Sequence, residues 1–267
     1  MNTLVSSWPD LYLGALNLIR DEGVRRESRG GATLDVGPTT FTCHDALWVP
    51  FPGREGSAGF ARAEQLCYLG GEDSELLLRH ASTYGRFRDP EGVWWGAYGP
   101  RWARPLENAV RTLAHDRYSR RAVASLWSSA DGFRCAYDPD IPDVPCTLGV
   151  TFWVSSGALH GHFVMRSCDA WFGLYYDLPA FTCVQRAVAW ALSLELGDTV
   201  LTCTSLHLYM NHVARATSVS TPTSYDDCVS PFTFRSASLL PVVRWNVVTR
   251  TARDVVQKLV AGGDAAG

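Results

Sequence analysis

Apolar positions along the chain alternate between two periods, and the switches mark the elements. Over residues 10–20, Leu11, Ala15, Leu18 and Ile19 recur at helical spacing. Residues 58–69 and 74–81 read as helices in the same way, and residues 105–116 place Leu106, Ala109, Val110 and Leu113 on one face. Residues 25–33 are polar and glycine-rich and predict a loop, whereas residues 121–127 alternate like a strand. From Thr147 to Val154 the apolar Leu148, Val150, Phe152 and Val154 point one way, the mark of a half-buried strand. Ser155-Ser156-Gly157 then predicts a turn, and residues 159–166 the returning strand. Residues 179–195 are apolar nearly all round and predict a long buried helix that ends near Gly197. Strand patterns return at 199–209 and 240–249, and the stretch from 255 to 267 reads as a frayed tail. Long helices beside a mostly antiparallel or mixed sheet predict an α+β fold, as a single domain over residues 1–267.

Composition narrows the class. A chain of 267 residues that is 46% hydrophobic can bury a substantial core. A net charge of -3 argues against a general nucleic-acid binder. The basic residues are almost all arginine, with Lys258 the one lysine, so an arginine carries information only at a motif position. The eight cysteines form no Cys-x-x-Cys pair, the first residues lack a basic segment followed by an apolar one, and no apolar run reaches membrane-spanning length. These features predict a cytoplasmic protein with free thiols and no membrane association, seven of its cysteines serving as small core hydrophobes. His160 and His162 share a strand face, but no carboxylate or cysteine stands at ligand spacing, so no metal site is expected.

One run of motifs carries chemistry. Asp143-Val144-Pro145-Cys146-Thr147 puts a cysteine after a proline, in a short loop that opens onto a strand. Downstream follow Arg166-Ser167-Cys168-Asp169, Phe172-Gly173-Leu174-Tyr175-Tyr176-Asp177, Leu194-Glu195-Leu196-Gly197-Asp198 and His207-Leu208-Tyr209-Met210-Asn211-His212. In order and spacing this resembles the active-site half of the thymidylate synthase family. The likeness spans roughly residues 8–212 and is strongest from 143 to 212. It implies a thymidylate synthase-like fold, with a large twisted mixed sheet flanked by helices, in a homodimer built through that sheet. It also implies a pyrimidine nucleoside monophosphate and 5,10-methylenetetrahydrofolate as co-substrates, with no metal.

The resemblance assigns roles residue by residue. Cys146 is the nucleophile that adds to pyrimidine C6, and Arg166 beside it favours the thiolate. Arg166, Ser167 and Arg29 hold the 5′-phosphate, together with Arg120 and Arg121, which match an adjacent pair that reaches into the partner's site. His207 and Tyr209, two apart on a strand and so on one face, bind the sugar 3′-hydroxyl. Glu64, in Ala63-Glu64-Gln65-Leu66-Cys67-Tyr68-Leu69, organises water and shuttles protons. Tyr98, in Gly96-Ala97-Tyr98-Gly99, assists removal of the C5 proton. Asp169, Gly173, Phe172 and Tyr84 border the folate.

Asp177 stands where the family's uracil-reading Asn would be, and the family's cytidylate hydroxymethylases have Asp here. Cytosine offers an amino donor at N4 and an acceptor at N3. A carboxyl that shares a proton with N3 matches both, whereas uracil would leave a buried carboxylate facing a carbonyl oxygen, at a cost on the order of several kcal/mol. Tyr84 and Phe87 also replace two tryptophans of the folate wall, and the C-terminus lacks the family's apolar closing tail. Both departures favour a wetter pocket, and so 5-hydroxymethylation of dCMP. A dCMP 5-methyltransferase, a CMP 5-hydroxymethylase, a divergent thymidylate synthase acting on dUMP, and an inactive nucleotide-binding homologue are the alternatives.

Overall fold

A computed structural model describes residues 2–71, 74–138, 140–225 and 228–229. The expected strand at 240–249 and the expected tail at 255–267 lie outside the described residues.

The chain opens with strand β1 (Asn2–Val5) and helix α1 (Trp8–Glu22), whose Leu11, Ala15, Leu16 and Ile19 are buried. Strands β2 (Val24–Ser28), β3 (Gly31–Asp35) and β4 (Thr39–His44) follow. Helices α2 (Ala58–Gly70) and α3 (Glu75–Leu78), a 3-10 turn over Ser82–Phe87 and helix α4 (Tyr98–His115) come next. After β5 (Val123–Ser125) and α5 (Ser129–Tyr137) come β6 (Thr147–Ser155), β7 (Ala158–Met165) and the short β8 (Cys168–Asp169). A π turn, Ala170–Leu174, leads into helix α6 (Tyr175–Ala191), then β9 (Glu195–Cys203), β10 (Leu206–Tyr209) and α7 (Met210–Ala216).

Among the described residues the strands form two sheets. The larger is mixed and six-stranded, in the order β1-β4-β9-β7-β6-β5, and the smaller runs β2-β3-β10-β8. Pairing in the large sheet is antiparallel for β5/β6, β6/β7 and β4/β9 and parallel for β7/β9 and β1/β4. The α+β architecture expected from the pattern is therefore present. Alternate positions of β6 and β7 bury Val150, Phe152, Leu159 and Phe163 against α6, which contributes Leu178, Phe181 and Val184 to the same core.

Five expectations need correction. Residues 25–33 are not a loop but a hairpin, with Ser28 paired to Gly31 and Arg29-Gly30 at its tip; β2 is exposed throughout, so no alternation betrays it. Helix α4 starts at Tyr98, seven residues before the periodic stretch begins. Pro100 lies in its first turn, where a missing N–H costs nothing, and Pro105 lies inside the helix. Helix α6 ends at Ala191, and Ser193 turns the chain with φ of 53°. Gly197 accordingly lies within β9, where a Cβ would stand 2.7 Å from the His160 ring. Residues 199–209 are two strands in different sheets, broken at Thr204-Ser205. The 74–81 segment keeps only the four-residue α3.

Candidate active site

The crossing from β7 to β8 builds the centre of the site. Arg166 follows β7 directly and clamps the loop before β6. Its backbone N donates to Cys146 O at 2.8 Å, Nε donates to Pro145 O at 2.9 Å, and Nη2 donates to Val144 O at 3.2 Å. The same Nη2 lies 3.7 Å from Cys146 Sγ, and the guanidinium carbon sits 5.6 Å from the Trp127 ring centre. Pro145 and Arg166 together thus hold the sulfur at the mouth of β6. Cys146 is partly buried, and burial pushes its thiol up to about 11, Arg166 opposing the rise without reversing it. The expected lowering by Arg166 is real in direction but is outweighed by desolvation. Asp177, Asp143 and Asp169 add to the rise. The expectation that the other seven cysteines are core residues holds for Cys43, Cys67, Cys168, Cys183 and Cys203; Cys135 is exposed and Cys228 half-buried.

Three helices carry the ionisable groups around the sulfur. Asp177 lies in the first turn of α6 and is buried. Burial first, then the charge of Asp169, raises its carboxyl to about 7. Glu64 on α2 is buried and raised by the same burial and by Asp177, while Tyr68 pulls it down; its Oε2 has no hydrogen-bond partner. Tyr98, at the start of α4, accepts a hydrogen bond at Oη from Thr147 N at 3.0 Å, one residue past Cys146. Burial raises its phenol, and Cys146 and Asp177 are the charges that add most. Tyr84 packs edge-on to Phe87 at 5.1 Å, and Glu64 and Asp177 both act on it.

The small sheet supplies the opposite wall. Asp169 and His207 are direct neighbours on the parallel strands β8 and β10. Asp169 Oδ1 accepts from Trp171 N at 2.8 Å, and its carboxyl is raised by burial. His207 is buried, with Nδ1 3.3 Å from Ser205 Oγ, which donates to Asp35 Oδ2 at 2.8 Å. Tyr209 stands edge-on to His207 at 5.5 Å. Its hydroxyl occupies the space over Gly30, where a Cβ would come within 2.4 Å, so a larger residue at the hairpin tip would displace the phenol. Arg29, beside that glycine, donates from Nη1 to Ile141 O at 2.6 Å and bears electrostatically on Tyr209. Phe172 is half exposed and edge-on to His212 at 4.9 Å, and Gly173 leaves room for the Asp177 carboxyl, since a Cβ would reach Oδ2 at 3.0 Å. Ser167 lies partly exposed between Arg166 and Cys168.

Cys146, Arg166, Asp169, Asp177, Glu64, Tyr98, Tyr84, Gly173, His207, Tyr209 and Arg29 thus line one region, with Phe172 at its rim and Ser167 next in the chain to Arg166. Arg120 and Arg121 do not join it; both are exposed in the turn before β5, at the edge of the large sheet. Three members escaped the sequence reading. Tyr68 stands one helical turn from Glu64, a spacing that could have revealed it. Asp143 accepts from Gly96 N at 3.0 Å and is raised by burial to about 6. Asp35, which steers His207 through Ser205, has no local signal because its partners are 170 residues away.

A thiol beside a guanidinium, grouped with two buried carboxyls and a phenol, is a set of side chains that suits nucleophilic group transfer. The Thymidylate synthase family model matches residues 59–227, so the chain belongs to the thymidylate synthase family. It is also 26% identical over 219 residues to the thymidylate synthase of Buchnera aphidicola subsp. Baizongia pistaciae (strain Bp), a match covering 77% of this chain and 81% of that protein. Members of this family are one-carbon transferases that bind a nucleoside monophosphate and use methylenetetrahydrofolate as co-substrate. Among the described residues no group of three or more His, Cys, Asp or Glu could hold a metal, and no helix is long and apolar enough to cross a membrane.

Proposed function

We propose that this chain is a cytoplasmic deoxycytidylate 5-hydroxymethylase, a single catalytic domain that acts on dCMP with methylenetetrahydrofolate and water. The observation that carries the reading is Asp177, a buried carboxyl raised to about 7 in the same site as the nucleophilic sulfur. Such a group keeps a proton near neutral pH. One oxygen can then donate to cytosine N3 while the other accepts from N4. The same proton draws charge from the ring as sulfur bonds to C6.

The remaining residues divide the work. Arg166, Ser167 and Arg29, with Arg120 and Arg121 of a partner copy, hold the phosphate dianion. His207, fixed by Ser205 and Asp35, and Tyr209, seated on Gly30, hold the sugar hydroxyl. The elevated thiol of Cys146 must lose its proton before it can add, and Arg166, at 3.7 Å, stabilises the resulting thiolate. Tyr98, bonded through Oη to the residue beside the nucleophile, takes part in removing the C5 proton. Phe172, half exposed, with Gly173, Tyr84 and Asp169, borders the folate. Methylenetetrahydrofolate supplies the one-carbon unit. Water then completes the hydroxymethyl group, and Glu64, with its unpartnered Oε2, is placed to take the proton from that water.

The test is a substrate panel. The enzyme is incubated with dCMP, CMP or dUMP and methylenetetrahydrofolate, and the products are read by mass. Hydroxymethyl-dCMP with release of tetrahydrofolate is expected. A methylated product with dihydrofolate, or turnover of dUMP alone, overturns the reading; no turnover and no covalent adduct with 5-fluoro-dCMP would mark an inactive nucleotide binder. In Asp177→Asn, preference should move toward dUMP, and unchanged cytosine selectivity would contradict the role given to the carboxyl.

A further inference from the structure

Tyr68 is a buried phenol that the mechanism above does not use. Residues 64 and 68 stand one turn apart on α2, so both side chains leave the same buried face. The Tyr68 ring stacks on Tyr98 at 5.1 Å with 24° between planes, meets Trp102 edge-on at 5.6 Å and stacks on Phe181 at 6.5 Å. A phenylalanine would make all three contacts. The hydroxyl therefore needs its own reason, because a buried phenol O–H requires a partner. The group within its reach is the Glu64 carboxyl, one turn away on the same buried face of α2, whose charged form the phenol favours. Tyr68 is faced by Glu64 from its own helix, Asp177 from α6, Tyr98 from α4 and Tyr84 from the 3-10 turn. Glu64 Oε2 is left buried and unpartnered.

We propose that Tyr68 is a positioning residue for the water-addition step. Its hydroxyl engages one side of the Glu64 carboxylate and leaves Oε2 free to receive a proton from the attacking water. The inference rests on the hydroxymethylation reading above. In the step, water oxygen bonds to the exocyclic methylene carbon on pyrimidine C5, and one water proton passes to Glu64 Oε2. The methylene π pair moves into the ring. The C6–S bond then breaks, its electron pair returning to Cys146 as the C5–C6 double bond re-forms.

Tyr68→Phe tests this, because it deletes the hydroxyl and keeps the stack. In a single turnover with C5-deuterated dCMP, loss of deuterium should stay near the wild-type rate. Formation of the hydroxymethyl product should slow by about ten-fold. The acid limb of the product-formation pH profile should move to higher pH, since Glu64 loses the donor that favours its ionised form. If deuterium loss and product formation slow together, or neither slows and the profile stays put, Tyr68 is a packing residue and the proposal falls. Should Tyr68→Phe fail to fold, 3,5-difluorotyrosine at position 68 keeps ring and hydroxyl while strengthening the donor. It should move the acid limb to lower pH, and an unmoved limb overturns the proposal. The wild-type enzyme reports separately on the parent reading: a methyl product, or dUMP as the sole substrate, defeats hydroxymethylation before any variant is compared.

Discussion

At the scale of single residues, the site is arranged against the stability of its own fold. Asp177 titrates near 3.8 when free and near 7 in the folded protein. Between those values the folded state binds more protons than the unfolded chain, so stability falls as pH rises through this window, and the full penalty stands above about 7. An Asn in the same space carries no such penalty. Asp177→Asn should therefore be more stable than wild type at pH 8, by on the order of a few kcal/mol, with the difference vanishing near pH 4. Thermal unfolding at the two pH values checks this; a gain independent of pH would mean that packing, not ionisation, sets the difference. On the proposed reading, the carboxyl that lowers stability in the free protein gains its partner when cytosine binds. Glu64 repeats the logic, raised by burial and by Asp177, with Tyr68 as its counterweight.

At the scale of elements, α6 is held in register by one side chain. Gln185 Nε2 donates to Leu159 O at 2.8 Å, Gly197 O at 3.0 Å and Asp198 O at 3.2 Å, and its Oε1 accepts from Thr199 Oγ1 at 2.9 Å. These carbonyls lie where β7 and β9 slip register: Leu159 faces Leu196, but Gly161 faces Thr199, which leaves His160 opposite two residues. The bulge turns backbone carbonyls toward the helix that carries Asp177, and Gln185 satisfies them. Gln185→Leu should cost about 2–4 kcal/mol in urea unfolding, because it strands buried carbonyls in an apolar setting. A loss under about 0.5 kcal/mol, the usual range for surface changes, would show that the bulge does not depend on this side chain. The bulge also explains what the sequence could reveal. Periodicity located β6, β7 and the body of α6, since their apolar faces are continuous. It missed the hairpin β2/β3, whose first strand is exposed, and it fused β9 with β10, because the polar Thr204-Ser205 break is made by long-range bonds, Thr204 N to Met165 O and Cys168 N to Ser205 O. Short motifs singled out Cys146, Arg166 and His207, and the fold brings them into one region. Asp35 was not, because only tertiary contacts give it a role.

At the scale of the whole molecule, the large sheet has two unequal faces. One buries Val150, Phe152, Phe163 and Leu201 in the core. The other carries Thr151, Trp153, His160, His162, Val200, Thr202, Thr40 and Thr42, half-buried or exposed and aligned in rows across β6, β7, β9 and β4. The expected homodimer would close this face, and Arg120 and Arg121 lie at its β5 edge, outside their own chain's site. If these arginines serve the partner's phosphate site, each active site draws its sulfur from one chain and two of its cations from the other. Cys146→Ser and Arg121→Ala would then each be inactive alone yet complementary when mixed. A two-fold dimer that takes one copy of each places both defects in one site and neither in the other. Under random reassortment half the dimers are mixed, so about a quarter of all sites are intact. Co-refolding the two variants should restore turnover toward that fraction, and recovery should scale with the product of the two subunit concentrations. If the mixture stays as inactive as its parts while sedimentation shows mixed dimers, Arg121 acts within its own chain or not on the phosphate at all, and the shared site must be abandoned even if the rest of the chemistry stands.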